Sequence, residues 1–378
     1  MESNQKWIWQ HRGWPDFTYD AGKLLPELTA LSRLMGGLEM TCRTLAVDSL
    51  LDARAQVLTE DALETSAIEG EMLRRSSVRA SARKRLGLPV DHDASDRRTD
   101  DLVAMLMDAR ENTGGPLTEE MLFAWHAALF PTGYSGLNKI RVGAYRGKEP
   151  MQIISGPITR EKVHYLAPPG SGVAAEMARF LQWVNSDNRI DSLLKAGIAH
   201  LWFIMIHPFD DGNGRVGRAI TDYLLSMDFP LPIQVISFSR HVRLDQKGYY
   251  HILEETGKQG LDINGWLLWF FKTLSAAIDE SRWIIDQVVQ KAAFWNLYGE
   301  AGINDRQRKV LNKLLDAGER FEGFMTTRKY AGMTKCSKVT ASRDLKDLEE
   351  KGLVQRRPGS GRSTSYEIKK NSGQEFIE

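Results

Sequence analysis

His207-Pro208-Phe209-Asp210-Asp211-Gly212-Asn213-Gly214-Arg215-Val216-Gly217-Arg218 divides two helical runs of the chain. The apolar stretch Ile198 to Ile206 leads into it, and Ala219, Ile220, Tyr223, Leu224 and Leu225 continue from it at helical spacing. The polar cluster therefore reads as a loop at a helix N-terminus. Such a place favours an anion, because Gly212 and Gly214 let backbone N–H groups converge and the helix dipole adds partial positive charge. Arg215 and Arg218, three apart, share one face of the first turn and offer forked donors to phosphate oxygens. Asp211 is a hard oxygen ligand suited to Mg²⁺ shared with substrate phosphates. His207, with an ordinary pKa of ~6.5, suits removal of a proton from an attacking hydroxyl. Taken singly, each has a plainer reading: His before Pro as a cap, Gly-Asn-Gly as a turn, Arg at a helix start as solvated charge. One base, one carboxylate, two glycines and two arginines together in this stretch outweigh those readings. Zinc on His207 and Asp211 is a weak alternative, since no third ligand follows at helical spacing.

Outward from this stretch the chain reads as mostly α. Leu24, Leu28, Leu31, Met35 and Leu38 mark one helix, and Leu45, Val47, Leu50, Leu51 and Leu58 a second. Amphipathic patterns near 76–86, 96–112, 118–130, 173–185 and 191–206 predict more, with others from residue 214 to about 228, over 240–256 and over 262–298. Residues 140–169 differ: Tyr145, Ile153, Ile154, Ile158, Val163 and Tyr165 sit among Gly143, Gly147, Pro150, Gly156 and Pro157, the texture of a short hairpin. Trp7, Trp9, Trp14, Phe17 and Tyr19 crowd the opening segment around Pro15, predicting an irregular arm that lays its rings on the helical body in preference to an aromatic ligand cage.

After Gly302 a compact module is predicted. Val310, Leu311, Leu314 and Leu315 mark a helix, Thr326 to Tyr330 starts another, and Ser337 to Lys351 forms a third, with Val339, Leu345 and Leu348 facing inward. Gly352-Leu353-Val354, the basic loop Arg356-Arg357-Pro358-Gly359-Ser360-Gly361-Arg362, and Thr364 to Ile368 follow as strand, loop, strand. Three helices and a basic hairpin describe a winged helix-turn-helix. Lys338, Arg343, Lys346, Arg356, Arg357 and Arg362 suit a nucleic-acid groove. Asp344, Asp347, Glu349 and Glu350 dilute that charge, and winged helices also serve in dimerisation and peptide docking. Both readings stand, DNA or self-association.

The 378 residues, 42% hydrophobic and 26% charged, fit two to three folded domains and exclude collagen, coiled-coil and long disordered compositions. The formal charge is +1, yet residues 303–370 carry a net +8 and residues 1–302 a net −5. Cys42 and Cys336, the two cysteines, are too few for a disulfide framework and fit a reducing, cytoplasmic compartment. The start lacks the pattern of a cleaved secretory signal. The most apolar segment, Trp266 to Phe271, is far short of the roughly 18 to 20 residues of a membrane span, so no membrane partner is expected.

The loop motif resembles the Fic signature, His-any-Phe-any-Asp/Glu-Gly-Asn-Gly-Arg-any-any-Arg, at every specified position. The resemblance implies an all-α Fic core whose members mostly transfer AMP from ATP to a protein hydroxyl. It would make His207 the general base toward a Ser, Thr or Tyr hydroxyl of an unidentified target protein, and Asp211 the Mg²⁺ ligand. Phe209 would pack inward, Gly212, Asn213 and Gly214 would form the anion nest, and Arg215 and Arg218 would grip the outer phosphates. The glycines favour nucleotidyl transfer over the phosphate transfer of related toxins. Residues 151–167 look like the family's target-aligning flap, and Tyr249-Tyr250 resembles its adenine-side tyrosine pair. The Asn that often contacts adenine is absent near Gly257.

Upstream, Thr65-Ser66-Ala67-Ile68-Glu69-Gly70 resembles the family's inhibitory motif, although Ser66 to Glu69 also fits a capping box. On the resemblance, Glu69 would neutralise Arg218 and exclude a productive γ-phosphate. In some relatives this glutamate supports removal of AMP, which remains an alternative, as does a DNA-binding regulator whose core senses nucleotide. The implied domains are a helical leader with the inhibitory helix at 1–112, a Fic core at 113–298 and a winged helix at 303–370. The segment from Trp7 to Asp20 also looks like the opening of bacterial Fic proteins with this arrangement.

Overall fold

The computed structural model describes residues 6–90, 95–155, 162–187, 189–358 and 364–369. The chain forms two compact units, Met1–Arg282 and Trp283–Glu378. Among the described residues, no helix is long and apolar enough to cross a membrane.

In the first unit the helices are α1 (Ala21–Thr44), α2 (Val47–Ile68), α3 (Arg75–Arg85), α4 (Arg97–Glu111), α5 (Glu119–Leu129), α6 (Val173–Val184), α7 (Ser192–Ile206) and α8 (Asn213–Asp228). These are followed by α9 (Phe238–Leu244), α10 (Gln246–Lys258) and the start of α11 (Asn264–Tyr298). α7 is apolar on every side because it is buried on every side, with Leu193, Ile198, Leu201, Phe203 and Ile206 all enclosed. It packs along α8, and α8 in turn meets α4. Acidic and hydroxyl caps fix several starts, including Asp20 on Gly22 and Lys23, Asp96 on Thr99, Thr118 on Met121 and Asp191 on Leu193.

The helix expected over 240–256 is two helices. Asp245 accepts from the Gly248 N–H at 3.3 Å and from Trp269 Nε1 at 2.9 Å, so it caps α10 and ends α9 instead of continuing one helix. The opening arm does lay its rings on the body. Trp14 and Phe17 meet Trp202 edge-on, Trp7 meets Tyr165, and Trp9 Nε1 donates to the Leu166 carbonyl at 2.7 Å.

Two antiparallel pairs interrupt the helices: β1 (Tyr134–Ser135) with β2 (Asn138–Lys139), and β3 (Gln152–Ser155) with β4 (Lys162–Leu166). The hairpin expected across 140–169 is thus confined to β3 and β4, in the register Gln152 to Leu166 and Ser155 to Lys162. Its tip, with Gly156, Pro157 and Ile158, lies outside the described residues.

In the second unit, α12 (Asp305–Ala317), α13 (Thr327–Thr334) and α14 (Lys338–Glu350) precede an antiparallel hairpin of β5 (Val354–Arg356) and β6 (Tyr366–Ile368). Val310, Leu311, Leu314, Tyr330, Ala341, Leu345, Leu348, Leu353 and Val354 form its core. Val339 is a correction: it is 63% exposed, and the inward positions of α14 are Ala341, Asp344, Leu345 and Leu348. The helical phase explains this, since Val339 lies two residues from Ala341 and turns away from the face that Ala341, Leu345 and Leu348 share. The loop residues Gly359, Ser360, Gly361 and Arg362 lie outside the described residues.

Candidate active site

α7 ends on His207, whose backbone is left-handed (φ 52°, ψ 59°), a conformation uncommon in non-glycine residues. The neighbourhood over-determines it. Arg146 donates from Nε to the His207 carbonyl at 2.7 Å, from Nη2 to the Pro168 carbonyl at 2.6 Å and from its backbone N–H to Pro208 at 2.8 Å. His207 Nδ1 lies 3.2 Å from the Ile204 carbonyl, which assigns the proton to Nδ1 and leaves Nε2 with a bare lone pair.

Phe209 is fully buried and stacks on His126 with ring centroids 4.2 Å apart. Gly143 N–H donates to His126 Nδ1 at 3.1 Å, so Nε2–H donates to the Asp211 carbonyl at 3.1 Å. Asn213 holds the turn from the other side, accepting from Phe209 N–H and donating to the Phe209 carbonyl, both at 2.9 Å. Gly212 (φ 81°) closes the loop so tightly that a Cβ there would lie 2.8 Å from the Phe130 ring.

The two arginines of α8 are nearly buried and face the end of α2. Arg218 donates from Nε to Thr65 Oγ1 at 2.9 Å, and from Nη2 to the Thr65 carbonyl at 3.1 Å and Glu69 Oε1 at 2.9 Å. Arg215 donates to Glu71 Oε2 at 3.2 Å and lies 4.8 Å over the Phe130 ring. Arg98 of α4 binds the same Glu71 oxygen at 2.5 Å. Among the described residues, Arg215 Nε and Arg218 Nη1 are buried without a hydrogen-bond partner, donors available to an anion.

The local backbone explains the two carboxylates. α2 closes in a Schellman turn: Gly70 N–H reaches the Ala67 carbonyl at 3.1 Å, and Glu71 N–H reaches that of Ser66 at 2.9 Å. Gly70 supplies the left-handed residue (φ 80°) that this turn requires. Ser66 and Glu69 are therefore at a helix C-terminus, and the capping-box reading is corrected. The Glu69 carboxylate lies against Gly214 at the start of α8, where a Cβ would press on it.

Asp211 accepts from Ser135 Oγ and, at 2.5 Å, from Gly212 N–H, and its side chain remains 38% exposed. Among the described residues no group of three His, Cys, Asp or Glu could hold a metal. A lone half-exposed carboxylate beside an anion cradle does fit Mg²⁺, which keeps its waters and shares phosphate oxygens. Tyr249 and Tyr250 lie on α10 beside the end of α2, and Tyr250 OH donates to the Ile68 carbonyl at 3.4 Å.

Three residues here escaped the sequence reading. Glu71 is one. His200, inside the apolar run of α7, accepts from Tyr249 OH at 3.0 Å and donates to Thr221 Oγ1 at 2.9 Å, joining α10, α7 and α8. Arg110 of α4 donates to Asp61 of α2 at 2.7 Å and Asp222 of α8 at 2.8 Å, all three buried. The available signal for His200 and Arg110 was a polar residue at an inward helical position; Glu71 lies beyond the end of α2 and had none.

Loss of water around them pushes His200 down to about 3 and His207 down to about 4, against the pull of the Ile204 carbonyl in the latter case. The unfolded chain binds protons on these rings from about pH 6.5 downward, the folded chain only near 3 and 4. Stability is therefore intact above pH ~6.5 and lost as the pH falls toward 4, by up to roughly 1.4 kcal/mol per pH unit per ring. Urea midpoints followed from about pH 7.5 to about 5 should fall, and less steeply in His200→Asn.

Residues 116–225 match the Fic/DOC family, and residues 7–88 match a domain of unknown function (DUF4172). The chain carries a Fic-family domain. It is similar over 90 residues to proteins called protein adenylyltransferase Fic, at 37% identity in Drosophila grimshawi and 36% in Drosophila melanogaster. That stretch is 23% of this chain and 17% of those relatives' length. Two solved structures share the fold at a TM-score of 0.52. A Fic family protein from Desulfovibrio desulfuricans is 22% identical, with 91% of this chain and 96% of that one covered. A Fic domain containing signaling protein from Bacteroides thetaiotaomicron is 17% identical, with 69% and 98% covered.

Proposed function

We propose that the chain is a protein adenylyltransferase that moves AMP from ATP to a Ser, Thr or Tyr hydroxyl of a target protein and is held off at rest by Glu69. The observation that carries this is the loop 207–218, where an imidazole with a bare Nε2 stands beside two buried arginines at a helix N-terminus. His207 Nε2 takes the proton of the target hydroxyl as its oxygen attacks the α-phosphate. The P–O bond to the β-phosphate breaks and pyrophosphate leaves with its electron pair. The low basicity of His207 keeps it unprotonated through neutral pH. Arg215, Arg218 and the α8 N-terminus spread the charge of the outer phosphates. Asp211 would hold Mg²⁺ there, and the ion would neutralise phosphate charge. Tyr249 and Tyr250 flank the base side, and β3–β4 offers an edge for the target segment.

Autoinhibition follows from charge. Glu69 occupies Arg218 and Glu71 occupies Arg215, so the outer phosphates meet carboxylates where they need guanidinium groups. Glu69→Gly should raise incorporation from α-labelled ATP, into the chain itself or a lysate, by about 5- to 150-fold, the range of an ordinary coupling between sites. Glu71→Ala should raise it several-fold and add to the first change. An unchanged rate in Glu69→Gly, or label that arrives only from γ-labelled ATP, overturns the assignment.

A further inference from the structure

An exposed, positively charged face lies on α14 of the second unit. Helical phase places Lys338, Val339, Ser342, Arg343 and Lys346 on one exposed face. Of the four carboxylates that dilute this helix in the sequence, Asp344 and Asp347 are engaged away from that face, while Glu349 and Glu350 lie in its last turn. Asp344 is buried, accepting from Arg306 Nε and Tyr330 OH, both at 2.9 Å, and Asp347 accepts from Gln307 and Lys351, both at 2.7 Å. Glu350 shares the face but sits at the C-terminal end, 3.5 Å from Lys346. Among the described residues no carboxylate pairs with Lys338 or Arg343. α13 and α14 are joined by three residues, Lys335, Cys336 and Ser337, with Lys335 left-handed (φ 52°) and Ser337 capping α14 through Thr340 N–H at 3.1 Å. Arg328 on α13 and Arg356 on β5 add exposed positive charge.

We propose that this face binds duplex DNA, with the N-terminal half of α14 in the major groove. Two helices joined by so short a turn present the second one to a groove about 12 Å wide, which matches a helix with its side chains. Lys338, Arg343 and Lys346 meet phosphates or guanine edges, and Val339, 63% exposed, meets thymine methyl groups. A second copy of the chain is a poor occupant, because it would set like charges together. The deep, narrow major groove of double-stranded RNA does not admit the helix.

The test uses the full chain and a random-sequence DNA duplex, followed by fluorescence anisotropy. Binding should weaken at least tenfold between about 50 and 200 mM salt. The triple change Lys338→Glu, Arg343→Glu and Lys346→Glu should abolish it with an unaltered unfolding midpoint. The milder pair Lys338→Ala and Arg343→Ala should reduce the salt slope by about one per lost phosphate contact. Val339→Ser should change which sequences are enriched from a random pool while leaving the salt slope alone. A duplex unbound at about 50 mM salt, charge variants that bind like the parent, or equal capture by polyglutamate or double-stranded RNA would each overturn the proposal.

Discussion

His207→Ala, introduced into Glu69→Gly, should lower label transfer from α-labelled ATP by about 10²- to 10⁴-fold, the usual contribution of a positioned general base. The loss should fall on kcat, with nucleotide affinity nearly intact, because the arginines and glycines of the cradle are untouched. Arg146 holds the His207 and Pro208 carbonyls, not the ring, so the loop keeps its path when the side chain is cut back. A double variant that labels as fast as its parent would remove His207 from the mechanism, and isothermal titration with nucleotide would show whether the cradle had survived.

Arg110→Met should cost the first unit about 3–5 kcal/mol of stability, the range for stripping one partner from a buried ionic group. Arg110 stands between Asp61 and Asp222, and Ser237 Oγ donates to the other Asp61 oxygen at 2.7 Å. Without the guanidinium, two carboxylates from α2 and α8 face each other away from water. Burial already drives the Asp222 carboxyl above the usual range against the opposing charge of Arg110. Neutralising both acids, Asp61→Asn with Asp222→Asn, should restore much of the loss in the Arg110→Met chain. Urea unfolding of the three chains measures this, and a midpoint for Arg110→Met equal to that of the parent would show the triad to be energetically idle.

Helix positions were legible in the sequence wherever apolar spacing ran unbroken, as over α4, α6, α7 and α8. The break at Asp245 was not, because its cap competes locally with a helical pattern that continues on both sides. The loop from His207 to Arg218 was legible as a site because its chemistry is contiguous. Glu71, His200 and Arg110 were not, since each meets its partners only after distant helices pack, 144 residues apart for Glu71 and Arg215. Val339 misled because a valine on a helix is ordinarily a core residue, although the spacing of Ala341, Leu345 and Leu348 turns it off the inward face.

The Schellman turn at the end of α2 bears on how such an enzyme would be woken. Glu69 and Glu71 flank one glycine, and a hydrogen bond from Glu71 back to Ser66 ties their backbones into a single cycle. If the proposed inhibition by Glu69 holds, opening that cycle would withdraw both side chains in the same event. Activation would then be an on–off transition governed by one free-energy gap, which Gly70→Ala, strained at a φ of 80°, should tilt without touching nucleotide or base.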